Sequence, residues 1–353
     1  MTCGASPRDH HPVRIRRQRL SETLFIARPL PRFEVRIRPP NLSEWQRGNT
    51  GIRGVMQFDS NRVGPHAVLV SLMHGNEFAG AIALDRIIRQ GVNPRSGTVS
   101  FVFANLDAFA RFDPDAPTAS RFIDEDMNRV WNSDRLNGTQ SSLELNRARE
   151  LLPVLQSADI LLDLHSMLWD SEPLLIAPGT RRSSALAASL AGSSGMPRLI
   201  VTDLGHLGGS RLIEQSRFIR AGGPARSVLL EAGQHWQADT IATSLHVAQR
   251  LLDNAEAMHL DAMDVGVIHP EQAIVTDNVM ARSAAFTFAH PFRGGDIVQR
   301  AGTVIARDGD DEICTPYDGC LLVMPNHRAR RGQLAVRLAR LIGEDPPPRQ
   351  APG

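Results

Sequence analysis

The stretch that decides the fold is His66-Ala67-Val68-Leu69-Val70-Ser71-Leu72-Met73-His74-Gly75-Asn76-Glu77-Phe78-Ala79-Gly80. Its apolar run, Ala67 to Met73, is bounded by Gly64-Pro65 on one side and by Gly75 on the other. A short apolar run between turn residues predicts a buried strand. Beyond it, Ile82, Leu84, Ile87 and Ile88 keep a helical spacing from Ala79 to Gln90, and Gly91 ends the period. Strand, turn and helix make the unit of an α/β sheet, whose ligands bind beyond the carboxyl ends of its strands. His74 and Glu77 fall at that end. Three positions apart, they can reach one ion from a turn, and a divalent zinc ion accepts both imidazole nitrogen and carboxylate oxygen. Taken alone, the same pair also reads as the capping of a helix start.

Working outward, Thr98 to Asn105 and Ile160 to His165 read as two more buried strands, with Leu199–Thr202 and Ser227–Glu231 as further ones. Helical spacing covers Leu143–Leu155, Ser183–Gly192 and Thr240 to about Met258, the last with Asp239 as its N-cap. Strands alternating with helices predict a mostly parallel α/β sheet. Phe33 to Arg38 alternates and reads as an edge strand stopped by Pro39-Pro40. Residues 106–138 have no period and form a long polar loop, which inside a compact domain is usually functional. Near Ala262 the character changes to short runs, Ala273–Val275, Ala285–Phe288, Gly302–Ala306 and Gly319–Met324, split by Gly, Pro and Asp. The expected organisation is a basic flexible tail (1–32), a catalytic domain (33–260), a smaller all-β C-terminal domain (262–343) and a Pro-rich tail (344–353).

Composition removes several function classes. All 39 basic residues are Arg, so a Schiff-base lysine, pyridoxal chemistry and a P-loop are excluded together. Arg8, Arg14, Arg16, Arg17 and Arg19 precede no apolar segment, so the N-terminus is no secretory signal, and a net charge of +1 argues against a nucleic-acid partner. No apolar run approaches the ~20 residues that span a bilayer, so no membrane partner is expected. Cys3, Cys314 and Cys320 have no metal-type spacing and point to a reducing, cytoplasmic setting without disulfides. No G-x-S-x-G elbow, H-E-x-x-H helix or G-x-G-x-x-G turn is present.

A metal site needs a third protein ligand, and His165 is the candidate, because it ends a buried strand as His74 does. Four motifs then occur in order: His74-Gly75-Asn76-Glu77; Arg121-Phe122-Ile123-Asp124-Glu125-Asp126-Met127-Asn128-Arg129; Asp163-Leu164-His165-Ser166; and Leu229-Leu230-Glu231. Over roughly residues 50 to 345 this pattern resembles the succinylglutamate desuccinylase/aspartoacylase family, with Phe122 for the common tyrosine and Met127 for the common leucine. The resemblance implies a zinc-carboxypeptidase-like, mostly parallel mixed sheet flanked by helices, with a smaller all-β C-terminal domain. It implies one Zn2+ held by His74, Glu77 and His165, Glu231 as the base that moves the proton of the attacking water, and Arg121 as the stabiliser of the oxyanion. Glu231 ends an apolar strand, where partial removal from water would favour proton uptake. Asn128 and Arg129 would hold a substrate carboxylate, the guanidinium offering a two-pronged donor. Asp163, two positions before His165, would hydrogen-bond to it. The family reads a second carboxylate with an arginine before the base; Arg217, Arg220 and Arg226 all remain open. Tyr317 reads as part of a surface turn.

The expected activity is cleavage of the N-acyl amide bond of a small N-acyl amino acid. The alternatives are a carboxypeptidase-like peptidase or amidase, and a catalytically silent binding protein of the same fold. A C-terminal β domain able to roof a cleft favours a small-molecule substrate bearing a carboxylate. The sequence leaves open whether the chain forms a homo-oligomer.

Overall fold

The computed structural model describes residues 15–17, 33–192, 196–206, 208–257 and 270–343. Two compact units divide the chain, a larger one within Arg32–Ala273 and a smaller one from Ile274 onward that also takes in the N-terminal segment. That segment contributes β1 (Ile15–Arg17), which pairs with the smaller unit.

The larger unit opens without regular structure. Phe33 to Arg38 does not form the expected edge strand. Its side chains alternate between covered and exposed, with Ile37 buried, and Arg36 N donates to Trp236 O at 3.1 Å. The period-2 pattern reports which side chains are covered, not a ladder. The edge is instead β2 (Val55–Asp59), antiparallel to a later strand.

Next come β3 (His66–Ser71), α1 (Ala79–Gln90), β4 (Thr98–Phe103) and the short α2 (Leu106–Phe109) and α3 (Ser133–Asn137). The chain continues through α4 (Leu143–Gln156), β5 (Ile160–Met167), β6 (Leu174–Ala177), α5 (Arg181–Leu190) and β7 (Leu199–Thr202). It ends with the short α6 (Ser216–Ile219), β8 (Arg226–Gln234) and α7 (Ala238–Ala257). The strand order is β2-β4-β3-β5-β8-β6-β7. Four of these pairs are parallel; β2 with β4 and β6 with β8 are antiparallel. Five of the six residues of β3 and all eight of β5 are buried, as strands covered on both faces require. On α1, Ile82, Leu84, Ile87 and Ile88 are buried, and α1 packs against α7. Helix α7 starts one residue earlier than its expected cap, so Asp239 lies in its first turn. Strand β6 was not anticipated: four apolar residues behind Pro173 are too few for a period to show.

The smaller unit is antiparallel. Strands β9 (Glu271–Met280), β10 (Phe286–Phe288), β11 (Ile297–Val298), β12 (Val304–Asp308), β13 (Asp311–Cys314), β14 (Cys320–Val323) and β15 (Leu334–Ile342) follow in order. They pair as β1-β13-β12-β10 and β11-β14-β15-β9. Tyr317 lies in the turn between β13 and β14, but its side chain points inward rather than to the surface. It is 9% exposed, its hydroxyl lies 2.6 Å from Thr276 Oγ1, and the Arg340 guanidinium carbon sits 4.0 Å from its ring centre. Burial pushes its phenol pKa upward. Cys314 and Cys320 are buried thiols outside any disulfide, while Cys3 and residues 344–353 lie outside the described residues.

Candidate metal centre

At the carboxyl end of β3 the backbone turns sharply, with fully buried Leu72 at φ +57°. The turn is pinned from three sides. Asn105 N donates to Leu72 O at 2.8 Å, Gly75 N to Arg121 O at 3.1 Å, and Glu77 N to His74 O at 3.1 Å. Gly75 is required by contact: a β-carbon there would stand 2.4 Å from backbone atoms of Ala108 and Phe109.

This turn presents His74 and Glu77, and the neighbouring β5 presents His165. One ligand atom from each lies within 4.8 Å of the others, and all three side chains are buried. His74 Nδ1 is 2.8 Å from Glu77 Oε1, and His165 Nδ1 is 3.1 Å from Glu77 Oε2. The first contact lacks hydrogen-bond geometry, so a buried imidazole nitrogen faces a carboxylate without a bond. Two imidazoles and a carboxylate converging in this way fit a divalent ion between them.

An acid stands beside each outer nitrogen, hydrogen-bonded to His74 and in close contact without hydrogen-bond geometry at His165. His74 Nε2 lies 2.9 Å from Asp126 Oδ1, and His165 Nε2 lies 2.9 Å from Asp163 Oδ2. Sequence reasoning reached Asp163 through its position two before His165, but gave Asp126 no role. Burial alone would raise the Glu77 and Asp126 carboxyls; His74 next to both, with His165 on Glu77 and Arg121 on Asp126, holds them well below their usual range. Burial would likewise lower His165, yet the Asp163 and Glu77 carboxylates keep it well above the usual imidazole value.

Arg121 reaches into the same cluster and is 35% exposed. It donates to Glu77 Oε1 at 2.7 Å and to Asp126 Oδ2 at 3.2 Å. Asn128 has both ends engaged within the protein, Oδ1 accepting from Leu212 N at 2.9 Å and Nδ2 lying 3.3 Å from His165 Nε2. Arg129 donates to the Asn128 carbonyl at 2.6 Å and packs under Gly209, where a β-carbon would sit 2.3 Å from Arg129 O. Glu231 is 6% exposed and is the ladder partner of His165 across the parallel β5–β8 pair. Paired positions of a ladder project from the same face of the sheet.

The open arginines lie at the other end of the sheet. Arg217 donates to Ala158 O at 2.6 Å and lies 3.2 Å from Asp159, just before β5 begins. Arg226 opens β8, five residues or about 16 Å before Glu231. The Arg220 carbonyl accepts from Arg182, which also bonds Ala225 beside the start of β8. None of the three lies at the carboxyl end of β8.

Two further residues at the site had no spacing to reveal them. His235 is 2% exposed, 2.7 Å from Ser166 Oγ and 4.0 Å from Glu77 Oε1; burial pushes its pKa down to about 4. Trp236 donates from Nε1 to Asn76 O at 3.1 Å and so ties the end of β8 to the ligand turn. A His-Trp pair just past the Leu-Leu-Glu strand was the available signal.

Comparison with known proteins places the chain in a family. The succinylglutamate desuccinylase/aspartoacylase catalytic domain matches residues 63–257, more than half of the chain. A probable aspartoacylase of Parasynechococcus marenigrum strain WH8102 is 33% identical over 137 residues, which span 37% of this chain and 43% of that relative. Among solved structures, a succinylglutamate desuccinylase from Vibrio parahaemolyticus superposes with a TM-score of 0.62 at 20% identity, over 82% of this chain and 86% of that one. A succinylglutamate desuccinylase/aspartoacylase from Rhodobacter sphaeroides gives 0.59 at 19% identity, over 82% and 89%. At such identities the structures establish the shared fold. With a catalytic-domain match over most of the larger unit, the chain belongs to the succinylglutamate desuccinylase/aspartoacylase family.

Proposed function

We propose that the protein is a zinc-dependent amidohydrolase that cleaves the N-acyl bond of a small N-acyl amino acid. The observation that carries this reading is the buried convergence of His74, Glu77 and His165 at the carboxyl ends of β3 and β5. These three would hold the ion. When bound, zinc supplies Lewis acidity, which makes water a better nucleophile at neutral pH and polarises a carbonyl.

The remaining work falls to the chain's own groups. Glu231 takes the proton of the attacking water on its carboxylate and passes it to the departing amine nitrogen. Arg121, fixed by Glu77 and Asp126, presents a guanidinium to the oxyanion as the carbonyl carbon becomes tetrahedral. Arg129 pairs with the substrate carboxylate, while Asn128 Oδ1 steadies the backbone at Leu212. Asp126 and Asp163 keep the two imidazoles oriented.

Metal analysis of the purified protein is expected to give about one zinc per chain. A panel of N-succinyl, N-acetyl and N-formyl amino acids should contain a substrate that is hydrolysed far faster than short peptides. Turnover of peptides alone would replace this reading with a peptidase, and a folded, metal-free, inactive protein would replace it with a binding protein.

A further inference from the structure

Glu144 stands in the first turn of α4, where an acid ordinarily does no more than complement the helix dipole. Here it is 1% exposed, and its carboxylate faces away from solvent into the loop that carries Arg121, Asp126, Asn128 and Arg129. Four N–H groups converge on it. Oε1 accepts from Ile123 N at 2.7 Å and from Asn105 Nδ2 at 3.1 Å, and Oε2 accepts from Asp124 N at 3.0 Å and Glu125 N at 3.2 Å. A buried carboxylate is tolerable only when its lone pairs are filled in this way, and that same demand fixes three consecutive loop amides in space. The loop answers in kind: Asp124 Oδ2 accepts from Leu143 N at 2.7 Å, and Glu125 Oε1 from Ser142 Oγ at 2.6 Å.

We propose that Glu144 is the positioning residue of this site: it hangs the loop 121–129 on the N-terminus of α4 and thereby sets where Arg121 meets the substrate. Arg121 is two residues before the first amide held, and Asp126 is one after the last. Asn105, the fourth donor, also bonds the ligand turn through its own backbone N to Leu72 O, so Glu144 relates the loop to His74 and Glu77. The part of the proposal that concerns turnover rests on the functional reading above.

The test is Glu144→Gln, which turns an acceptor into an NH2 donor facing backbone donors. Two readouts are needed. Amide hydrogen exchange at 123–125 should quicken at least about tenfold while β3 and β5 exchange as in the wild type. On the best N-acyl amino acid, kcat/KM should fall about 100-fold, the scale of a small misplacement of catalytic groups. In an Arg121→Ala background the same change should cost no more than about threefold, because the loss acts through the loop. Glu150→Gln, an exposed acid on the same helix, should change neither. Wild-type exchange at 123–125, exchange quickened across the whole sheet, or losses that multiply in the double variant would each overturn the proposal. If Glu144→Gln does not fold, Glu144→Asp is read in the same way, and a folded Glu144→Asp with wild-type exchange and turnover overturns it. If the wild type hydrolyses no N-acyl amino acid, the functional reading fails by itself and the exchange measurement still decides the role of Glu144.

Discussion

At the scale of single residues, the proposed function separates groups that would hold an ion from groups that would move protons. Glu231→Gln keeps the size of the side chain and removes its basicity. It should retain metal and lose hydrolysis by about 100-fold or more, and a fully active variant would remove Glu231 as the base. Asp126→Asn leaves all three ligands in place but withdraws the carboxylate from His74 Nε2. Metal affinity, measured by competition with a chelator, should drop about 10- to 100-fold. The three residues that converge were legible in the sequence, because His74 follows an apolar run, Glu77 stands three positions on, and His165 closes the run from Ile160. Asp126, Glu144 and His235 were not, since nothing in the linear order says that a polar loop, a helix start and a strand end will meet.

At the scale of elements, the turn after β3 is packed directly against backbone. Gly75→Ala places a methyl group against backbone that cannot swing aside. The cost should be about 1–3 kcal/mol in urea unfolding, together with loss of metal binding. Unchanged affinity would show that the turn has slack. Helix α1 came out of the sequence with its ends at Ala79 and Gln90, because apolar period and a terminal glycine agreed. The run Phe33–Arg38 misled, since alternating burial arises wherever an extended chain lies along a core, whether or not it pairs. Strands β6 and β13 stayed hidden, β6 behind Pro173 and β13 because it opens on two acidic residues.

For the whole molecule, a buried set of two imidazoles and a carboxylate would link metal binding to folding. An ion present at 100 times its dissociation constant stabilises the native state by about 2.7 kcal/mol. Chelation should therefore lower the midpoint of the transition that carries the larger unit, and added zinc should restore it. A thermal scan indifferent to both would mean that the cluster binds no metal. No helix among the described residues is long and apolar enough to cross a membrane.

The ladder pairing of His165 with Glu231 has a consequence for how such a protein changes over time. The two residues are 66 positions apart in the chain, yet only one interstrand step separates them, about 4.8 Å. That dimension belongs to the sheet, as a lattice constant belongs to a crystal. The loops of the connection between them are free to lengthen or shorten without retuning the interval, so long as β6 keeps its place beside β8. Insertions between Ala191 and Arg198 should therefore be absorbed with the chemistry left in place, whereas a one-residue slip of β8 against β5 would abolish it.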